Sequence, residues 1–111
     1  MRAAVTGGLF TVDLRYRNPT KDGVSVSIPV DHVSVIDDAT ARRYGAVKDQ
    51  TGQFMAAPLE NSVKADRVHA YVSPDKTQIF WFKFPAPPPG AQTVSIMLPD
   101  VAPFDGVRVQ R

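Results

Sequence analysis

The stretch QIFWFKFPAPPPGAQTVSIML, residues 78–98, decides how the chain folds. Successive side chains of a β-strand point to opposite faces, so Phe80, Phe82 and Phe84 share one face, while Ile79 and Trp81 share the other. Aromatic side chains in such a row usually build a core. We therefore predict a strand central in its sheet, with the phenylalanines inward. The prolines that follow predict a stiff turn into the second strand of a core hairpin.

Short runs of the same kind recur along the rest of the chain, separated by turn-forming residues. They are LFTVDLRYRN (9–18), VSVSI (24–28), HVSVID (32–37), RRYGAVK (42–48), RVHAYV (67–72) and GVRVQ (106–110). This spacing is typical of an antiparallel sandwich or barrel. Residues 57–66 are compatible with a short helix or an irregular segment, and Pro58 and Asn61 favour the latter. No linker or repeat divides the chain, which indicates one domain over residues 1–111.

Composition excludes several classes of protein. The chain has 111 residues, a net charge of +2 and no cysteine, so disulfides and thiolate chemistry are impossible. Lys and Arg are scattered rather than gathered, which argues against nucleic-acid binding. No apolar run is long enough for a transmembrane helix. MRAAVTGGLF is not a signal peptide, so we expect either a cytoplasmic protein or the mature part of an exported one.

Three segments together resemble a bacterial family of immunoglobulin-like β-sandwich domains of unknown function, found in secreted proteins, lipoproteins and cell-envelope proteins. They are TVDLRYRNPTKDGVSVSI, HVSVIDDATARRYGAV and VSPDKTQIFWFKFPAPPPGAQTVSIMLP. The resemblance implies a sandwich of seven to nine strands, a location outside the cytoplasm and a binding or structural role. It supplies no catalytic residue and no cofactor. Two departures are that Asp75 stands where relatives often have glycine, and that only MRAAVT precedes the first run where such domains usually have a further strand.

Side chains that could carry out chemistry form no strong motif. Asp31, His32 and Ser34 suggest a catalytic triad, but adjacent strand residues point to opposite faces. His32 and His69 lack the spacing of zinc ligands. Asp37 and Asp38, with Asp49 or Asp31, could bind calcium or could simply cap turns, and the latter is commoner. PAPP at 85–88 could dock an aromatic groove or form a turn. We expect no catalytic site, cofactor or metal.

The strongest binding candidate is the outward side of the aromatic strand. Trp81 and Ile79, beside Leu9, would form an apolar patch that anchors an envelope protein or glycan, unless further core covers Trp81. The sequence thus predicts a non-enzymatic interaction or structural module of the envelope. One alternative is a carbohydrate-binding or enzyme-accessory domain, with Trp81, Tyr44 and Tyr71 as the available aromatics. Another is a cytoplasmic subunit that assembles through its sheet edges.

Overall fold

The computed structural model describes residues 2–61, 65–99 and 101–111 of the chain. These residues form ten strands and one turn of 3₁₀ helix at Val30–His32. The strands are β1 (Arg2–Thr6), β2 (Leu9–Arg17), β3 (Val24–Pro29), β4 (Ser34–Asp37), β5 (Arg43–Gly45), β6 (Ala56–Ala57), β7 (Arg67–Val72), β8 (Thr77–Pro85), β9 (Thr93–Met97) and β10 (Phe104–Arg108). All their pairings are antiparallel. The predicted all-β, antiparallel class is confirmed.

The first sheet has the strand order β1-β2-β8-β6. Strands β2 and β8 pair over nine residues, from Leu9 opposite Pro85 to Arg17 opposite Thr77. Strand β8 lies inside its sheet, as the aromatic run predicts. Residues 2–6 of the segment MRAAVT form a further strand ahead of β2. This strand, β1, makes a hairpin with β2 through Gly7 and Gly8, both at positive φ.

A second sheet has the order β10-β9-β4-β5, and strands β3 and β7 form a separate two-stranded ribbon. The two larger sheets share one core, because their inward side chains belong to a single buried cluster. The first sheet contributes Phe10, Val12, Phe80, Phe82 and Phe84, and the second contributes Val35, Val94 and Ile96, all at most 1% exposed. The predicted inward row of phenylalanines is therefore confirmed, and the architecture is that of a sandwich.

The predicted proline hairpin is wrong. Strand β8 pairs with β2 and β6, whereas β9 pairs with β4 and β10, so the proline segment crosses from one sheet to the other. Pro87 is buried, and Arg111 Nη2 donates to the carbonyl oxygens of Pro88 at 2.6 Å and Ala91 at 3.1 Å. Proline lacks an N–H group and suits such a crossing, which has no ladder to join.

Asn18 fixes the loop that follows β2, although it is polar and fully buried. Its Nδ2 donates to the carbonyl oxygens of Asp22 at 2.8 Å and Val72 at 2.9 Å. Its Oδ1 accepts from the backbone N–H of Thr20 at 2.9 Å and from the Thr20 hydroxyl at 2.6 Å. The amide thereby ties the end of β2 to the end of β7.

The predicted strand at Arg67–Val72 is confirmed as β7. The interpretation of residues 57–66 as an irregular segment is only partly tested, because residues 62–64 lie outside the described part. Ala57 is the second residue of the short strand β6, and the other described residues of the segment form no helix. Leu59 bridges to Val68 on β7, so this segment links the first sheet to the ribbon.

Candidate functional site

Trp81 and Ile79 lie on the outward surface of the first sheet, which we call the outer face. Ile79 is 45% exposed, and Trp81 is half-buried. On β2, Asp13 lies opposite Trp81 and Arg15 lies opposite Ile79, and both of these residues also point outward. The side chain of Lys83 covers part of the indole, because its Nζ lies 5.7 Å from the centroid of the Trp81 ring. The charged side chain of Lys83 therefore covers part of Trp81, the residue predicted to bind an apolar partner.

The predicted position of Leu9 beside Trp81 is wrong. Leu9 pairs with Pro85, four residues along β8 from Trp81. At about 3.4 Å per residue, this places the two positions roughly 14 Å apart along the strand. Lys83 and its partner Thr11 lie between them on the same face. Trp81 and Ile79 remain neighbours, and Leu9 lies at the far end of the outer face.

The three aromatics considered for sugar binding belong to three different sheets. Trp81 lies on β8 of the first sheet, Tyr44 on β5 of the second and Tyr71 on the ribbon strand β7. Tyr71 is 66% exposed, while Tyr44 is half-buried beside Arg42. A sugar-binding platform needs its aromatic rings on one surface, and the topology does not assign these three to a common sheet.

The residues of the suggested triad have other partners. His32 Nε2 lies 3.9 Å from Asp31 Oδ1, and both side chains are exposed. Ser34 is buried, and its hydroxyl accepts a hydrogen bond from Arg43 at 3.3 Å. The three therefore do not form the serine–histidine contact that nucleophilic catalysis needs.

Of the aspartates considered for calcium, Asp37 and Asp49 cap turns, whereas Asp38 bonds to side chains of β9. Asp37 Oδ1 accepts from the backbone N–H of Ala39, and Asp38 accepts from the hydroxyls of Thr93 and Ser95 on β9. Asp49 accepts from the hydroxyl of Thr51 and from two backbone N–H groups, and these bonds, the hydroxyl's first, lower the pKa of its carboxyl. Over residues 2–61, 65–99 and 101–111, no three His, Asp or Glu side chains gather as a metal site would require.

A feature that the sequence reasoning missed is an apolar cavity of about 410 Å³ at one end of the sandwich, which we call the inter-sheet groove. Its walls come from both large sheets and the ribbon. The lining residues are Leu14, Arg15, Tyr16, Val26, Ile28, Phe80, Leu98, Pro99, Val101 and Phe104. Leu14 and Phe80 are buried at its floor, and Val101 and Phe104 are 56% and 42% exposed at its mouth. The groove is thus an opening into the core.

The groove lies beside the part of β2 that follows its pairing with β1. Strand β1 pairs with Leu9 to Asp13, and on that edge Leu14–Arg17 have no strand partner in the described structure. The ribbon and the start of β10 border the uncovered part. Inward side chains there, including Tyr16, Val26 and Ile28, are consequently half-buried rather than buried.

The sequence held one signal for this groove, since Val101 and Phe104 are large apolar residues in a proline-containing turn segment, LPDVAPFDG (98–106). Apolar residues in a turn have no local reason to be buried. Because the segment was interpreted only as a turn between two strands, it was not considered as a binding site.

No protein-family model, curated protein or solved structure matches the chain. In the described structure, no helix is long and apolar enough to cross a membrane. The groove and the outer face are therefore the features from which a function can be argued.

Proposed function

We propose that this chain is a non-enzymatic interaction module that binds a polypeptide partner in the inter-sheet groove. The observation that carries the proposal is the exposure of Val101 and Phe104 above a continuous apolar wall. Exposed apolar surface of this kind is a common mark of a binding site. The immunoglobulin-like assignment and the envelope location, both implied by the resemblance, belong to the same proposal.

The groove supports this role better than the outer face does. Its lining is predominantly apolar, and among the described residues that line it Arg15 is the one that carries a charge. On the outer face, the depression around Trp81 is shared with Arg2, Asp13 and Lys83. Buried interface cores are depleted in charge and rich in aromatic residues, and Phe104 fits that description.

The contribution of Phe104 can be estimated from its exposure. A phenylalanine side chain buries about 200 Å², so covering the 42% that is exposed would remove about 80 Å² from water. At about 25 cal/mol per Å², this is worth about 2 kcal/mol, or roughly 30-fold in affinity. We expect the Phe104→Ser variant to lose about that factor.

Site-specific cross-linking in the producing cells tests the proposal. A photo-crosslinking phenylalanine analogue is placed at position 104 and, as the matched control, at position 71, because Tyr71 is an exposed aromatic on the outward side of the ribbon. We expect polypeptide adducts from position 104 at ten times the control yield or more. Equal yields at both positions, or no adduct at position 104, would contradict the proposal.

Cell fractionation tests the envelope part separately. We expect the adduct and the free chain in the periplasmic, membrane or secreted fraction. Recovery of both in the cytoplasm would refute the envelope location and leave the binding function to be judged by the cross-linking.

A further inference from the structure

We infer that a β-bulge at Asp105 and Gly106 positions Phe104 on the inter-sheet groove, and so gives the groove mouth an aromatic ring where a regular strand would place a carboxylate. This inference rests on the proposed function, because it assigns positioning residues to the same site. It concerns the backbone of β10 and is independent of what the groove binds.

The bulge is visible in the register of β10 against β9. Phe104 lies opposite Ile96, and Val107 lies opposite Val94. Three residue steps on β10 therefore match two on β9, so β10 contains one extra residue between the two pairs. Ile96 and Val94 are fully buried, and both of their partners on β10 consequently lie on the inward side of the sheet.

Without the extra residue, a different side chain would stand at the groove. In a regular ladder counted back from Val107, Asp105 would lie opposite Ile96. Phe104 would lie opposite Met97, on the outward side of β9. An acidic side chain at the mouth would be unfavourable for a partner, because the cores of interfaces are depleted in charge. In the structure, Asp105 is exposed and Phe104 lines the groove.

Gly106 supplies the backbone conformation that the bulge needs. Its φ is +64°, in the left-handed region that glycine adopts freely and in which glycine bulges place this residue. In the described structure, a Cβ added to Gly106 would meet no heavy atom within 4 Å. Packing therefore does not require a glycine here, whereas the backbone does. A β-branched residue is the least compatible with positive φ.

Strand β10 is held more firmly after the bulge than before it. Val109 is buried, and its N–H donates to the carbonyl oxygen of Gln92 at 2.9 Å. The N–H of Gln110 donates to a carbonyl oxygen of β1 at 3.1 Å. Residues 101–103, which precede the strand, are exposed. A chain that cannot form the bulge should therefore keep its register after it and shift Phe104 by one position.

The variant Gly106→Val tests this shift by NMR on the chain alone. In the wild type, the Phe104 ring should show a nuclear Overhauser contact to the δ1 methyl of Ile96, because Cβ atoms of directly opposite residues lie about 4.5–5.5 Å apart. In Gly106→Val, that contact should be lost and replaced by one to the ε methyl of Met97. Gly106→Asn is the matched control and should keep the Ile96 contact, because asparagine tolerates positive φ.

Deletion of Asp105 in the Gly106→Val background distinguishes register from general damage. With one residue fewer, a regular ladder again places Phe104 opposite Ile96, so the contact to Ile96 should return. Shortening the strand would not repair a glycine needed only for folding. Retention of the Ile96 contact in Gly106→Val would overturn the inference. Absence of that contact from the double variant, or failure of the double variant to fold, would overturn it as well.

Cross-linking connects the bulge to the proposed function. With the photo-crosslinking analogue at position 104, the adduct yield should fall in Gly106→Val to the yield at control position 71, and it should recover in the double variant. An unchanged yield in Gly106→Val would refute the positioning role. Absence of an adduct in the otherwise unaltered chain would instead refute the proposed function, and the NMR contacts would still decide whether the bulge positions Phe104.

Discussion

Replacement of Asn18 by alanine should destabilise the domain by about 3–4 kcal/mol. The change removes four side-chain hydrogen bonds, and the carbonyl oxygen of Val72 is left without its buried partner. An unsatisfied buried group costs about 1–3 kcal/mol, and each less buried bond contributes about 0.5–1.5 kcal/mol net. Thr20 and Asp22 are exposed, so in the variant their polar groups can form hydrogen bonds with water instead. The total loss of stability is therefore smaller than the sum of the four contributions.

Urea unfolding measures this loss, and Trp81, the single tryptophan of the chain, reports it by fluorescence. With a slope of about 1.5–2 kcal/mol per M, the midpoint should fall by about 2 M at an unchanged slope. Thr20→Val is the matched control, because it removes the contacts that one exposed hydroxyl makes with Asn18 Oδ1 and with the Asp22 carbonyl oxygen. It leaves the Asn18 amide bonded to the carbonyl oxygens of Val72 and Asp22, so it should cost about 1 kcal/mol or less. If Asn18→Ala costs no more than Thr20→Val, the buried amide does not anchor the loop.

The isosteric Asn18→Asp variant adds a pH dependence to the same experiment. A carboxylate cannot donate to the two carbonyl oxygens, and burial beside them should raise its pKa in the folded state. The folded state then favours the protonated form. The variant should be least destabilised below the ordinary aspartate range and lose stability as pH rises through it. A constant difference from wild type between pH 3 and pH 7 would contradict this reasoning.

Ala41 has a φ of +60°, which costs a non-glycine residue about 1–2 kcal/mol, so Ala41→Gly should raise the free energy of unfolding by about 0.5–1 kcal/mol in urea titration; a decrease would show that the strain is absent. The lowered pKa of Asp49 means that its contribution to the folded turn is present above the unfolded pKa and is lost as pH falls through the folded one. Thr51→Val should therefore move the Asp49 midpoint, followed by carboxyl ¹³C NMR, up toward its ordinary value, and an unmoved midpoint would assign the shift to the backbone bonds. Lys83→Ala should increase acrylamide quenching of Trp81, because the lysine lies over the indole, and unchanged quenching would mean that it gives no cover. A partner in the inter-sheet groove should leave the Trp81 emission maximum in place, whereas a partner on the outer face should shift it to shorter wavelength.

The sequence predicts the strands well where burial alternates strictly. In β2 the inward residues are large and apolar and the outward ones are mostly polar, and in β8 three phenylalanines mark the inward face. Each inward face can therefore be assigned without knowing the partner strand. Strand β1 was missed because Ala3 and Ala4 give almost no contrast between its buried and its exposed face. The glycine pair after it forms the turn of its hairpin with β2, which the sequence reasoning did not predict.

The pairing of strands is harder to predict, because it depends on residues far apart in sequence. A proline-rich segment ends a strand in the same way whether the chain turns back in one sheet or crosses to another, so PAPPPG could not distinguish a hairpin from the crossing that the structure has. Asp75, where relatives in the resembling family often have glycine, shows the opposite case, because its difference has a local explanation. Its φ is +60°, a conformation that glycine adopts freely and aspartate tolerates.

The candidate site has the same nonlocal origin. The alternation of Val24, Val26 and Ile28 was predicted as one face of a strand, yet all three are half-buried. Val26 and Ile28 line the same groove as Val101 and Phe104, although the four residues come from segments far apart in sequence. A partner that covered Val101 and Phe104 would therefore also cover the exposed parts of Val26 and Ile28. The incomplete burial of the ribbon and the exposure of two apolar side chains beyond β9 are thus two signs of one site, and neither segment shows it alone.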